Sequence, residues 1–347
     1  MGEAFSDLVT SGPLLLGVLA AALAGLGWWA LRARPEPTQA AVAAPDTAVP
    51  AVSTPTVSAL PASTTPLPAT GTPLRLVFDD LKRRAGNGDA RAACRLAAEL
   101  EQCERVRLQL AQFDDMTRQQ QRMLEGMEPA RRARAQENME RTSLARGQQL
   151  LQDSEGCEGV PAMSPAQRAG LWRDAALGGS LPALTQYAVG NAFRTRDTLQ
   201  VLPQLQIYRN EAEGLALQAA ERGSLQATMA LAGAYSPQRD TGRRTYLAQV
   251  VTPDPSKSLA LYLRAQQALA STQSAQAQAP MQRFRAGALQ RNIDWLRGNM
   301  SDAQLAQADA LARQWQQDWS APAPEEGGLP FSPDGGVPDV TPKLCGD

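Results

Sequence analysis

Four cysteines, Cys94, Cys103, Cys157 and Cys345, are the residues of this chain best equipped for chemistry. None stands in a Cys-x-x-Cys pair, so neither a redox dithiol nor a zinc ribbon is spelled out. They can be buried thiols of a reducing compartment or disulfides of an oxidising one, and the second is the preferred reading. On one continuous helix Cys94 and Cys103 would stand about 13 Å apart along the axis, too far for a bond. Cys103 and Cys157 flank a segment able to fold back on itself, so the expected bond is Cys103–Cys157. Cys94 with Cys345 is what remains. Carboxylates are the other candidates: Asp79-Asp80 and Asp114-Asp115 could serve acid–base chemistry. Neighbours on a helix point about 100° apart, which makes these pairs surface charge rather than a convergent site.

The chain contains 0 histidines. That removes Ser-His-Asp and Cys-His catalysis, histidine metal sites and imidazole proton shuttling together. An enzyme is therefore not expected, and no cofactor or metal is implied. Lys plus Arg number 34 against 35 Asp plus Glu, so no global field draws the chain to nucleic acid. Aromatics are 5% of residues and Ala is abundant, a mix suited to close-packed helices. The fold class read from these features is all-α.

The elements that position these residues begin with an N-terminal tail, 1–13, and an uncharged run, 14–31, LLLGVLAAALAGLGWWAL. As a helix the run spans about 27 Å, near the hydrocarbon thickness. Trp28 and Trp29 sit at its interfacial end and Arg32 and Arg34 stop it. It reads as one transmembrane helix. A cleavable signal peptide, cut near Ala22-Leu23-Ala24, is the rival reading, but the preceding segment carries Glu3 and Asp7 and no base. Residues 35–73 are a Pro/Ala/Thr-rich linker, expected to be extended, unable to pack and of use for reach. A helical domain follows over 74–319, then a Pro- and Gly-rich tail, 320–347, expected to be flexible and pinned by Cys345 alone.

Within the domain one pattern recurs three times, A-x-x-G-[DS]-x-x-A-x-x-x-[LY]-A. It runs through Gly88, Gly179 and Gly223, with Asp89, Ser180 and Ser224 beside them. Gly at the end of a helical run takes the left-handed conformation that a Cβ opposes, and Asp or Ser next to it caps a new helix. Each pair is thus a turn between two helices, and the following Ala lets those helices approach closely. Ser164-Pro165-Ala166-Gln167 and Ser301-Asp302-Ala303-Gln304 are capping boxes that open further helices. Residues 104–152 read as an inserted helical hairpin bending at Glu128-Pro129, with Met116, Met123 and Met127 on one stripe. That stripe is hairpin core in one reading and an adaptable partner surface in the other.

The three turns and their flanking helices resemble Sel-one-like repeats, a branch of the tetratricopeptide superfamily, over roughly 74–100 and 164–270. The resemblance implies an α-solenoid of helix pairs whose concave face holds a partner protein or peptide, and it implies no catalysis. The first two copies are split by the hairpin, and the loop after the third is long, both departures from the family pattern. The implied groove would run along the first helices of the repeats, where Arg91, Arg95, Gln186 and Gln226 could face the partner. The function expected is a membrane-anchored interaction scaffold. The alternatives are an accessory subunit of an envelope secretion or pilus machine and, last, a carboxylate enzyme. The composition reads as bacterial, so the anchor would lie in the inner membrane. Arg32 and Arg34 after the helix favour a cytoplasmic domain. The cysteines and the long spacer favour the periplasm, which is preferred.

Overall fold

The structure, a computed structural model, describes residues 55, 57, 65–238, 245–270, 280–322 and 336–346. All of these belong to one compact unit, Val52–Asp347. The expected spanning helix at 14–31 lies outside the described residues. Among the described residues no helix is long and apolar enough to cross a membrane.

Every regular element among the described residues is helical. Helix α1 (Leu74–Gly86) turns into α2 (Ala90–Glu125), and α3 (Pro129–Glu155) returns along α2. Then come α4 (Pro165–Leu177), α5 (Leu181–Ala188), a 3-10 helix (Thr195–Val201), α6 (Leu202–Glu221) and α7 (Leu225–Tyr235). A short α8 (Tyr246–Val250) leads to α9 (Pro255–Ala270), α10 (Pro280–Gly298), α11 (Asp302–Asp318) and a last 3-10 turn (Pro342–Cys345). Packing follows chain order: α1 on α2, α2 on α4, α4 on α5, α5 on α6, α6 on α7 and α7 on α9. Helix α9 then supports both α10 and α11.

The repeated pattern has a local physical cause at each position. Gly88, Gly179 and Gly223 all have positive φ (85°, 100° and 91°) and each stands between two helices. Next to them Asp89, Ser180 and Ser224 are N-caps, and their side chains accept from the backbone N–H of Ala92, Ala183 and Ala227. The Ala three residues beyond each cap is therefore both the capped donor and a core residue, and all three are fully buried. With Ala at these positions α7 is buried everywhere but Gly233. Larger side chains fill the spaces between pairs: Trp172, Tyr187, Tyr208, Leu215, Met229 and Tyr235 share one core. Tyr187 and Tyr208 meet edge-on with ring centroids 5.6 Å apart, a favoured aromatic geometry.

Two caps of the same chemistry should differ in worth. Ser164 is exposed and forms a capping box with Gln167. Ser164→Ala is expected to cost about 1 kcal/mol. Ser224 caps α7 and also accepts from the buried Thr185 hydroxyl at 2.9 Å. Ser224→Ala strands that hydroxyl as well, so its loss should approach about 2 kcal/mol. Urea melts of the two variants measure the difference.

The hairpin at 104–152 grows directly out of the first repeat. Helix α2 runs for 36 residues from the first repeat turn into the hairpin without a break. Glu128 is the extended residue before Pro129, which opens α3. Met116, Met123 and Met127 are exposed, as are Leu144 and Leu151 on α3. The core reading of the methionine stripe is thereby corrected: two helices in contact bury only the faces toward each other, and among the described residues no further element packs on the distal stretch. At the hairpin base Cys103 bonds Cys157, and Arg107 donates to the Val160 carbonyl at 2.5 Å. The second disulfide, Cys94–Cys345, ties α2 to the C-terminal turn.

Packing extends past both expected domain boundaries. The end of the linker, 65–73, is not free of the domain: Arg84 donates to the carbonyls of Thr65 and Pro66 at 2.8 and 2.9 Å. A proline-rich stretch has carbonyls with few neighbouring N–H donors, and a guanidinium supplies them. The tail is likewise packed over 336–346.

Candidate functional site

Helix α2 presents Arg91, Cys94 and Glu101 at spacings of three and seven, one face of the helix. Helix α5 brings Gln186 beside that face, and the turn after α5 adds Asn191 and Arg194. Together they form a cleft filled by the chain's own C-terminal segment. Asn191 Nδ2 donates to the carbonyls of Val337 and Pro338 at 2.9 and 3.2 Å. Arg194 grips Asp339 with both terminal nitrogens, at 3.2 and 2.8 Å to its two oxygens. The Val340 N–H donates to Gln186 Oε1 at 2.8 Å. Arg91 donates to the Gly346 carbonyl, and Cys94 holds Cys345 covalently. Val340 and Cys345 are buried in the main core.

The cleft recognises the segment mostly through the segment's main-chain groups, with one acidic side chain, Asp339, read specifically. An Arg fork on a carboxylate gives both charge and direction. The Gln186 amide uses both ends: its oxygen takes the Val340 N–H, and its nitrogen lies 3.3 Å from Asp339 and 3.5 Å from Glu101.

Below the cleft Arg168 of α4 is 1% exposed and anchors four partners. It bonds Asp197 at 2.5 Å, Glu104 at 2.9 Å and the Ala192 carbonyl at 3.1 Å, and stands 3.6 Å from Glu101. Burial pushes the Glu101 carboxyl up to about 7, with the Asp339 charge adding to the rise while Arg194 and Arg168 oppose it.

Glu101 therefore carries a pH signature. Its folded value of about 7 lies above the ordinary 4.5, so between these the folded state holds a proton that the unfolded chain has released. Stability then falls as pH rises from about 4.5 to about 7 and levels above that window. In Glu101→Gln the same interval should be flatter. Denaturant midpoints at pH 5, 6, 7 and 8 check it, and parallel profiles for the two proteins would refute it.

The groove residues expected from sequence fall differently. Arg91, Arg95, Gln186 and Gln226 lie on α2, α5 and α7, the second helix of each pair and not the first. Arg91 and Gln186 meet in the tail cleft. Arg95 is turned away, paired with Glu99 at 2.7 Å and near Thr70. Gln226 is buried within α7. Arg95, Gln186 and Gln226 are each 2% exposed or less, so none is an open contact surface as the protein stands. Sequence reasoning missed Glu101, Asn191, Arg194 and Asp339, which sit outside the repeated pattern.

Beside the first two turns lies a second concavity of about 1260 Å³, lined among others by Arg84, Asp89, Arg91, Gly179 and Arg222 and bordered by linker residues 65–68. Asp80 pairs with Arg83, and Asp115 with Arg118, each one turn away on an exposed helix face. Neither adjacent-Asp pair converges on a site. Among the described residues no group of three or more His, Cys, Asp or Glu could hold a metal ion. No protein-family model, curated protein or solved structure matches this chain.

Proposed function

We propose that the chain is a membrane-anchored protein-docking scaffold of the bacterial envelope, built on Sel-one-like repeats stacked into a short solenoid. One observation carries this reading: side chains from two successive helix pairs hold an extended segment chiefly by its main-chain groups, the chemistry of peptide recognition. Glycine-capped turns and the packing of helix pairs in chain order support the repeat assignment. Two disulfide pairs support a periplasmic domain, because such bonds persist in oxidising compartments. The anchor is the run 14–31, and the partner is a protein or peptide.

Crosslinking in intact cells, followed by purification of the full chain from membranes, tests the scaffold. A defined set of partners is expected, and Arg194→Glu should deplete it. A set unchanged by Arg194→Glu would sink the cleft as the docking surface. A set lost only on deleting residues 1–34 would favour an accessory role in a larger membrane machine. A cytoplasm-only reporter fused after Asp347 tests the orientation, since its activity would overturn a periplasmic domain.

A further inference from the structure

The C-terminal segment behaves as a ligand rather than as another packed helix. Among its described residues, 336–346, it contributes no helix pair, and the one regular element there is a 3-10 turn, Pro342–Cys345. Its polar anchoring is extensive: the carbonyls of Val337, Pro338 and Gly346, the N–H of Val340 and the carboxylate of Asp339 each meet a cleft side chain. The cleft side is built for such a guest. With the segment seated, Gln186 is 1% exposed and Glu101 5%, so polar side chains lie directly beneath it. Buried polar groups are costly when unpaired, and an emptied cleft would leave the amide of Gln186 and the fork of Arg194 seeking partners.

We propose that the cleft of Arg91, Gln186, Asn191 and Arg194 is a binding site for an extended aliphatic–Pro–acidic–aliphatic peptide of a partner protein, and that residues 336–346 are its covalently latched occupant in cis. The sequence Val337-Pro338-Asp339-Val340 defines that chemistry. Arg194 selects the carboxylate, Gln186 and Asn191 read backbone groups around it, and the core accepts the following aliphatic residue. The proposal rests on the docking-scaffold reading and names the ligand class for that same site.

Cys94–Cys345 sets when the site is open. A tethered segment competes at a high effective concentration, so a partner peptide binds at least tenfold more weakly while the bond is closed. A dithiol reductant opens it. One reductant thiolate attacks Cys94 or Cys345, the Sγ–Sγ bond breaks and a mixed disulfide forms. The second reductant thiol then closes the reductant's own disulfide. Cys94 and Cys345 leave as thiols, having gained two electrons and two protons between them. The tail is then held only by non-covalent bonds, and a competing peptide can replace it. The Cys103–Cys157 bond lies at the hairpin base and takes no part.

Fluorescence anisotropy with a labelled peptide decides the matter. The probe is residues 336–346 with Ser in place of Cys345. The receptors are the oxidised wild-type chain and a full chain carrying Cys345→Ser and Asp339→Asn, which weakens the tail without removing it. Circular dichroism and an intact Cys103–Cys157 bond establish that the variant is folded. Saturable binding to the variant is expected, at least tenfold weaker to the oxidised wild type. Asp339→Asn in the probe, or Arg194→Met in the variant chain, should each weaken it at least tenfold. Equal binding to the oxidised wild type, equal binding of the Asn probe, or no binding to a folded variant would each overturn the proposal. If the variant rejects the probe yet keeps the crosslinked partners, the peptide assignment fails and the scaffold stands. If the probe binds while no partner is crosslinked, the cleft assignment holds and the scaffold falls.

Discussion

Arg168→Met should lower the stability of the domain by about 3–5 kcal/mol, the largest loss expected from any single substitution considered. The substitution keeps most of the volume and the apolar stem, so little of the effect is packing. What it removes is a guanidinium shared by Glu101, Glu104 and Asp197 and, among the described residues, the cation nearest the buried Asp197, which keeps only Arg196 at 3.5 Å. Asp197 is 7% exposed and Glu101 5%, so neither carboxylate can recover its loss by turning to water. Arg194 still reaches Glu101 at 3.2 Å, which tempers the loss there, but it has no bond to Asp197. The Ala192 carbonyl also loses its donor. The deficit should shrink as pH falls, because protonating an unpaired buried carboxylate removes the charge that burial opposes. Urea melts of both proteins at pH 5 and pH 8 test this. A deficit under about 1 kcal/mol at pH 8, or one that grows toward pH 5, would mean that the cluster is better hydrated than its burial implies.

That cluster shows where sequence reading succeeds and where it stops. The turns at Gly88, Gly179 and Gly223 were legible because their cause is local: a helix end, a left-handed glycine and a cap lie within five residues of each other. The Ser164 and Ser301 capping boxes were legible for the same reason, and so was the bend before Pro129. Cys103–Cys157 was legible because a hairpin brings its own ends together. Arg168, Glu101, Asp197 and Arg194 belong to four different elements, and no short pattern reports that α4 places one Arg among the other three. The groove residues failed for a related reason. Arg95, Gln186 and Gln226 occupy plausible helical positions, but which face is open depends on what covers it: residues 336–346 cover Gln186, Arg95 turns toward Glu99 and Thr70, and Gln226 is buried within α7. One signal was present: with Cys103 paired to Cys157, Cys94 is left for Cys345, which already brings the tail against α2. Its Pro and Gly content by itself suggests looseness. The prolines instead keep residues 336–341 out of a helix, and a non-helical segment offers the main-chain groups that Asn191 and Gln186 bind. The exposed Met116, Met123 and Met127 carry the same lesson in reverse, since periodicity reveals a face but not whether anything meets it.

Gly223→Ala should destabilise the domain by about 2–4 kcal/mol, whereas Gly88→Ala, at the same place in the repeated pattern, should cost about 1–2 kcal/mol. Both glycines have φ near +90°, where an L side chain crowds the following carbonyl. That penalty, about 1–2 kcal/mol, is common to the two. Their surroundings differ. A Cβ at Gly88 would meet nothing within 4 Å, while one at Gly223 would stand 2.8 Å from the Ala321 carbonyl oxygen. That oxygen belongs to backbone that cannot easily retreat: the adjoining Ser320 N–H donates to the Glu221 carbonyl at 2.9 Å, and Arg264 donates to the Ser320 carbonyl. The third turn is thus where the chain leaving α11 is seated, and a methyl group there must shift either the seat or the turn. Arg264 also bonds the Trp315 carbonyl at 2.8 Å, so the disturbance should reach the end of α11. Hydrogen exchange of the Trp319 and Ser320 amides should therefore speed up in Gly223→Ala and stay unchanged in Gly88→Ala. Equal losses in the two variants, with equal exchange at Trp319, would show that the turn needs only its left-handed conformation and that the seat contributes nothing.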